Sequence, residues 1–171
     1  MRRQFKLCFF LLTSYLVLVG VHVTAQTPSY ELQAAYVFNF AKYIQWPSEG
    51  EQLMIGVYND NDVTSEFEST LKGKKVRGRE IIVKKVVALE ELLQCSILYV
   101  AESHSRNIDT LISSLMGKSI LIVTEEDLIK KGAAISFVIE EERLRFKVKK
   151  KALELAALVA SEGLLKLAIL F

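Results

Sequence analysis

Two short runs, Ile97–Val100 and Ile120–Val123, are apolar at every position. A strand with one wet face alternates polar and apolar residues, whereas an unbroken apolar run must be covered on both faces. Such runs constrain the chain to a sheet held between layers of helices. The remaining pattern agrees with that frame. Strand-like runs occur at 53–58, 80–86, 96–101, 119–124, 134–139 and 143–149, with helix-like stretches at 62–71, 89–93, 107–115 and 125–131 and a long final helix at 150–170. The alternation predicts a single-domain α/β protein with a Rossmann-like or flavodoxin-like sheet, mostly parallel and flanked by helices. In 143–149, Leu144, Phe146 and Val148 alternate with Arg143, Arg145, Lys147 and Lys149. That half-exposed strand follows 134–139 across a short acidic turn, which predicts an antiparallel C-terminal hairpin at one edge. Thr124-Glu125-Glu126-Asp127 fits a helix capping box, and Gly132 behind Lys130 and Lys131 fits a helix stop.

The start of the chain has a different character. Arg2, Arg3 and Lys6 precede an apolar run from Leu7 to Val21, followed by Val23-Thr24-Ala25. Basic, apolar and small-residue segments in that order are a secretory signal peptide, with cleavage expected after Ala25. The run is too short for a spanning helix, and Cys8 lies at its start, away from the cleavage point, which argues against lipid attachment. Residues 1–25 are thus expected to be removed, leaving 26–171 as one domain exported to the periplasm. Removal takes three positive charges and no negative ones, so the formal +2 becomes −1. Nothing in that balance calls for nucleic acid. Cys95 is then the one remaining cysteine, so no disulfide forms within the subunit and the core alone holds the fold. It precedes an apolar run, where a free cysteine packs as a small hydrophobe; pairing between subunits is the alternative.

Few segments carry chemistry. Gly73-Lys74-Lys75-Val76-Arg77-Gly78-Arg79-Glu80 imitates a phosphate loop, but Arg79 and Glu80 stand where the lysine and the magnesium-binding hydroxyl belong. It also leads into a strand, so a tight charged turn is expected. Lys72, Lys74, Lys75, Arg77, Arg79, Lys84 and Lys85 form a basic run beside an edge strand, where lysines discourage aggregation. Loops at the carboxyl ends of parallel strands gather Asp60, Ser103, His104 and Thr124, the candidate ligand-binding set. The same residue types also cap helices. A metal site needs more ligands of the right kind and a hydrolase needs a nucleophile elbow. The sequence therefore predicts a non-enzyme without cofactor or metal.

The segment Tyr30–Pro47, YELQAAYVFNFAKYIQWP, holds the other candidate surface. At 100° per residue, Leu32, Tyr36, Val37, Phe40, Tyr43 and Ile44 share an apolar arc suited to the sheet. Glu31, Asn39, Lys42 and Gln45 lie opposite. Phe38 falls among the polar residues, Trp46 lies near them, and Pro47 is expected to end the helix. Exposed aromatics mark partner surfaces, so Phe38, Lys42, Trp46 and Pro47 are the candidate partner-binding residues. In the final helix, Leu153, Ala156, Ala160, Leu164, Leu167 and Phe171 form the expected core stripe.

AAYVFNFAKYIQWP after a signal peptide, GKKVRGREIIVKKV, CSILYVAES, GAAISFVIEEERLRFKV and SEGLLKLA resemble, in the same order, the YfiR/HmsC-like family of periplasmic regulators. The resemblance covers nearly all of 26–171. It implies a periplasmic α/β protein that holds a membrane signalling protein, such as a diguanylate cyclase, inactive, and so lowers cyclic di-GMP and biofilm formation. A homodimer is also in keeping with it. Members with redox-linked regulation use paired cysteines, and Cys95 has no partner within the subunit. The rival expectation is a periplasmic small-ligand-binding domain that uses the loop edge.

Overall fold

The computed structural model describes residues 29–48 and 50–171, so the expected leader lies outside the described residues. Helix α1 (Tyr30–Tyr43) leads through a two-residue strand β1 (Ile44–Gln45) to β2 (Gln52–Tyr58) and α2 (Asn61–Leu71). A hairpin of β3 (Lys75–Val76) and β4 (Arg79–Val86) follows, then α3 (Leu89–Leu92), β5 (Ile97–Val100) and α4 (Ile108–Ser114). The chain continues through β6 (Leu121–Thr124), β7 (Ile135–Glu140), β8 (Arg143–Val148), α5 (Lys150–Leu155), β9 (Val159–Ala160), α6 (Glu162–Leu167) and β10 (Ile169–Leu170).

Eight strands form the main sheet in the order β10-β8-β7-β6-β5-β2-β4-β3. Strand β2 lies between β4 and β5 and is parallel to both, and β5, β6 and β7 continue in parallel. The order of the five parallel strands is therefore flavodoxin-like, with its reversal between β2 and β5. Strands β5 and β6 are buried at all four positions, as their unbroken apolar runs demand. Ile97 and Tyr99 face the layer of α1, α2, α5 and α6, where Phe40, Phe67 and Phe137 are fully buried. Leu98 and Val100 face the opposite core, built with Leu92, Ile108 and Leu111 from α3 and α4.

The expected hairpin is present as antiparallel β7 and β8, with Glu141 and Glu142 in the left-handed region at its turn. Strand β10 pairs in parallel with the outer side of β8 and so covers that edge. The phosphate-loop imitation is a turn at Arg77 and Gly78 joining antiparallel β3 and β4.

Four expectations are corrected. No α-helix forms at 125–131; the one helical turn within that stretch is the 3-10 turn Ile129–Lys131. Thr124 caps nothing, because its hydroxyl lies 2.7 Å from Ser136 Oγ and donates to the Glu126 carbonyl at 2.8 Å. The final helix is broken into α5, β9, α6 and β10. Ala157 turns left-handed, Val159–Ala160 pairs with Ile44–Gln45, and Ser161 restarts a helix by accepting from Leu164 N at 3.3 Å. Backbone groups that a helix would bond internally are bonded by strands instead. Leu153 and Leu164 stay in the core, but Leu167 and Phe171 are more than half exposed. On α1 the buried face is Gln33, Ala34, Val37, Phe40 and Ala41, while Leu32 and Tyr43 are exposed. The small Ala34 and Ala41 admit close approach to the sheet, and polar Gln33 is tolerated inside because both ends of its amide are bonded.

Candidate functional site

The loop edge forms where β2, β5 and β6 end. Asp60 caps α2, its Oδ1 accepting from Val63 N at 3.0 Å. Its Oδ2 accepts from Ser103 Oγ at 3.3 Å, which ties the two loops on either side of the sheet's reversal. The His104 ring meets Tyr58 edge-on with centroids 5.7 Å apart. Thr124 is fully buried, so its place in the ligand-binding set is corrected: its hydroxyl serves the packing of β6 against β7.

The start of α1 completes this edge. Tyr99 OH donates to Gln33 Oε1 at 2.5 Å, and Gln33 Nε2 donates to Glu125 Oε1 at 3.1 Å. The other Glu125 oxygen accepts from Glu102 N at 2.8 Å. Strand β5, helix α1 and the loops after β5 and β6 are thereby joined in one network. Beside it lies an open cleft of about 780 Å³, lined by Ser29, Tyr30, Ser103, Arg106, Glu125 and Glu126 among others. Partial burial, then the carboxylates of Glu125, Asp60, Glu102 and Asp62, push the Tyr30 phenol up. Among the charged residues that line the cleft, Glu102, Glu125 and Glu126 outnumber Arg106, which favours a cationic group.

Of the four residues predicted for this edge, Ser103 lines the cleft, Asp60 bonds Ser103 from behind, and His104 packs on Tyr58 outside the lining. Tyr30, Arg106 and Glu126 lie outside the sequence expectation, whereas Thr124-Glu125 is expected at this edge. Arg106, Glu125 and Glu126 are near neighbours of Ser103 and Thr124 in the chain, so the right loops were legible. Only tertiary packing brings the start of α1 to them. Among the described residues no three His, Cys, Asp or Glu side chains are grouped to hold a metal ion.

The second surface lies on the outer side of α1. Phe38 is half-buried, one part against the core. The Lys42 and Lys74 ammonium groups lie 5.6 and 5.5 Å from its ring centroid. Lys74 belongs to the run entering β3, and Arg77 Nη2 donates to the Ile44 carbonyl at 2.8 Å, so the β3–β4 hairpin is fixed against the end of α1. Lys42 and Pro47 are exposed. Trp46 is not an exposed aromatic: it is 8% exposed and its Nε1 donates to the Ser96 carbonyl at 3.2 Å. The helix ends at Tyr43, before Pro47, because Ile44 turns extended to pair with Ala160. That early turn swings the indole inward across the start of β5.

The fold and these surfaces define a flavodoxin-like α/β domain with an acidic loop edge and a basic aromatic flank. The chain belongs to the YfiR/HmsC-like family, whose model matches residues 30–169. No curated protein matches it. It is similar in structure to a conserved domain protein of Vibrio cholerae O1 biovar El Tor strain N16961, solved by crystallography. The TM-score is 0.57 at 9% identity, over 84% of this chain and 60% of that chain. The likeness shows a shared fold, and this chain matches 60% of that protein's length. Among the described residues no helix is long and apolar enough to cross a membrane.

Proposed function

We propose that this protein is a periplasmic regulator that binds the periplasmic part of an inner-membrane signalling protein, such as a diguanylate cyclase, and holds it inactive. Cyclic di-GMP and biofilm formation would fall as a result. The observation that carries the reading is Phe38, a large ring left half-open on the outer side of α1 with two ammonium groups about it, in a chain of the YfiR/HmsC-like family. Aromatic side chains, phenylalanine included, are enriched at interface cores, where a few anchors carry most of the binding energy. Lys42 and Pro47 complete the contact, while Trp46 buttresses the helix end from inside. Repression then follows from differential affinity: the domain binds the inactive conformation of its partner more tightly and shifts the population toward it. No catalytic step is involved in this reading.

The open cleft, richer in carboxylates than in cations, favours a second reading, in which the loop edge binds a small cationic ligand, with Ser103 among its contacts and Asp60 holding Ser103 in place. The test that separates them is Phe38→Ala. Capture of the partner's periplasmic domain should weaken by about 1 kcal/mol or more, with cyclic di-GMP rising in cells. Since the ring is half-buried, the stability loss should stay below the roughly 3–5 kcal/mol of a fully buried phenylalanine. Unchanged capture by a folded Phe38→Ala variant refutes the proposal.

A further inference from the structure

The β3 end of the sheet is an open edge. Strand β3 pairs with β4 only through Lys75 opposite Glu80 and Val76 opposite Arg79, and Ile81 N donates to the Lys74 carbonyl at 3.2 Å. At Gly73 the chain turns away toward α2, and no described strand lies beside β4 beyond Ile81. Ile81 points its N–H outward, whereas the Val86 carbonyl accepts from Asn59 N on the β2 side. By alternation, the N–H and C=O groups of Val83 and Lys85 face outward too. They end the sheet with a row of backbone groups that a further strand would satisfy.

Beside this edge, between α2 and β4, lies an open cleft of about 540 Å³ whose apolar floor includes Leu71, Ile81 and Val83, with Glu68 and Glu80 at its rim, so the cleft itself suits an apolar side chain rather than a carboxylate. Around it Lys72, Lys84 and Lys85 are exposed. A second copy paired edge to edge would set these lysines against their own counterparts, which is unfavourable. An acidic strand meets the opposite situation. We infer that the β4 edge binds an extended acidic segment of the regulated partner, which adds as a strand in line with β3, sets one apolar side chain over Leu71, Ile81 and Val83, and presents neighbouring carboxylates to Lys85 on that face and to Lys84 on the other. Main-chain bonds would supply affinity, and the lysines and the cleft would supply selection. The inference rests on the partner-binding reading above and extends it from Phe38, through Lys74, to the adjoining sheet edge.

The test uses isotope-labelled processed protein and a short blocked peptide carrying a valine next to two adjacent glutamates, beside its lysine counterpart. The glutamate peptide should shift the Val83 and Lys85 amide resonances and bind about tenfold or more tightly than the lysine peptide, with the gap closing as salt rises. The exposed double change Lys84→Glu/Lys85→Glu should reverse the preference, and Lys85→Pro, which removes one outward N–H, should abolish the shifts. Unmoved Val83 and Lys85 amides, or equal binding of both peptides, overturn the inference. A dimer that Lys85→Pro dissociates also overturns it, in favour of a second copy. If the partner's periplasmic domain is captured equally by the wild type and by Lys84→Glu/Lys85→Glu, the edge inference fails while the partner reading stands. If Phe38→Ala also leaves capture intact, the partner reading fails with it.

Discussion

Gly56 offers a measurement of how tightly the sheet is closed against α3. It lies within β2, where the backbone does not require glycine, so space is the reason for it. A Cβ at this position would overlap Cys95 Sγ and stand 2.8 Å from Val86 Cγ2. Both neighbours are buried, at 5% and 2% exposure, so neither can swing into solvent. Overpacking of this kind costs about 1–3 kcal/mol. Loss of the glycine's freedom in the unfolded chain returns roughly 0.5–1 kcal/mol. Gly56→Ala should therefore destabilise by about 1–2 kcal/mol, a fall in Tm of roughly 3–8 °C. Urea unfolding followed by the fluorescence of Trp46, the single tryptophan, measures it directly. Cys95→Ala removes one of the two overlaps, so the double variant should be more stable than the sum of the single effects by about 0.5 kcal/mol or more. A neutral Gly56→Ala, or strict additivity, would refute the packing argument.

Burial holds the Cys95 thiol up at about 11, from 9.0. The folded chain keeps this proton where the unfolded chain releases it, so the contribution is full below 9.0 and is lost as pH rises toward 11. The wild type should lose up to about 2 kcal/mol more than Cys95→Ala across that window, as read from urea midpoints. Native protein should also resist thiol alkylation until it unfolds. Trp46→Phe removes the donor to the Ser96 carbonyl and should cost about 1–2 kcal/mol in a thermal melt while leaving partner capture per folded molecule unchanged. Glu141→Asn/Glu142→Gly suits the left-handed pair at the β7–β8 turn and should stabilise by about 1 kcal/mol or more; a lower melting temperature would contradict the turn assignment.

The layered sheet was legible because its signals are local. Unbroken apolar runs gave β5 and β6, and perfect alternation gave β8. The end of the chain was misread as one helix because its apolar spacing satisfies a helical period, whereas β9 and β10 are set by pairing with β1 and β8, distant in sequence. Ser161 was a visible start signal, since its hydroxyl caps α6, but it lay inside the periodic stretch and was outweighed there. Glu125 was assigned to a capping box for a related reason. Its carboxylate instead joins Gln33 and the Glu102 amide, partners that no sequence window contains. Trp46 looked exposed because the helix was extended to Pro47; ending it at Tyr43 reverses which way the indole faces.

Helix α1 bears on both proposed surfaces. Its first turn carries Tyr30 and Gln33 at the acidic cleft, and its later turns carry Phe38 and Lys42 at the basic flank. The two regions lie on one rigid element, roughly 20 Å long. The Tyr99–Gln33–Glu125 bonds hold its start to β5 and β6, and the Arg77 bond to the Ile44 carbonyl holds its end to the β3–β4 hairpin. A cation that drew Glu125 away from Gln33 would loosen the first anchor without touching the second. Any resulting tilt of α1 would be felt at Phe38, so ligand and partner would be coupled and the coupling would be reciprocal.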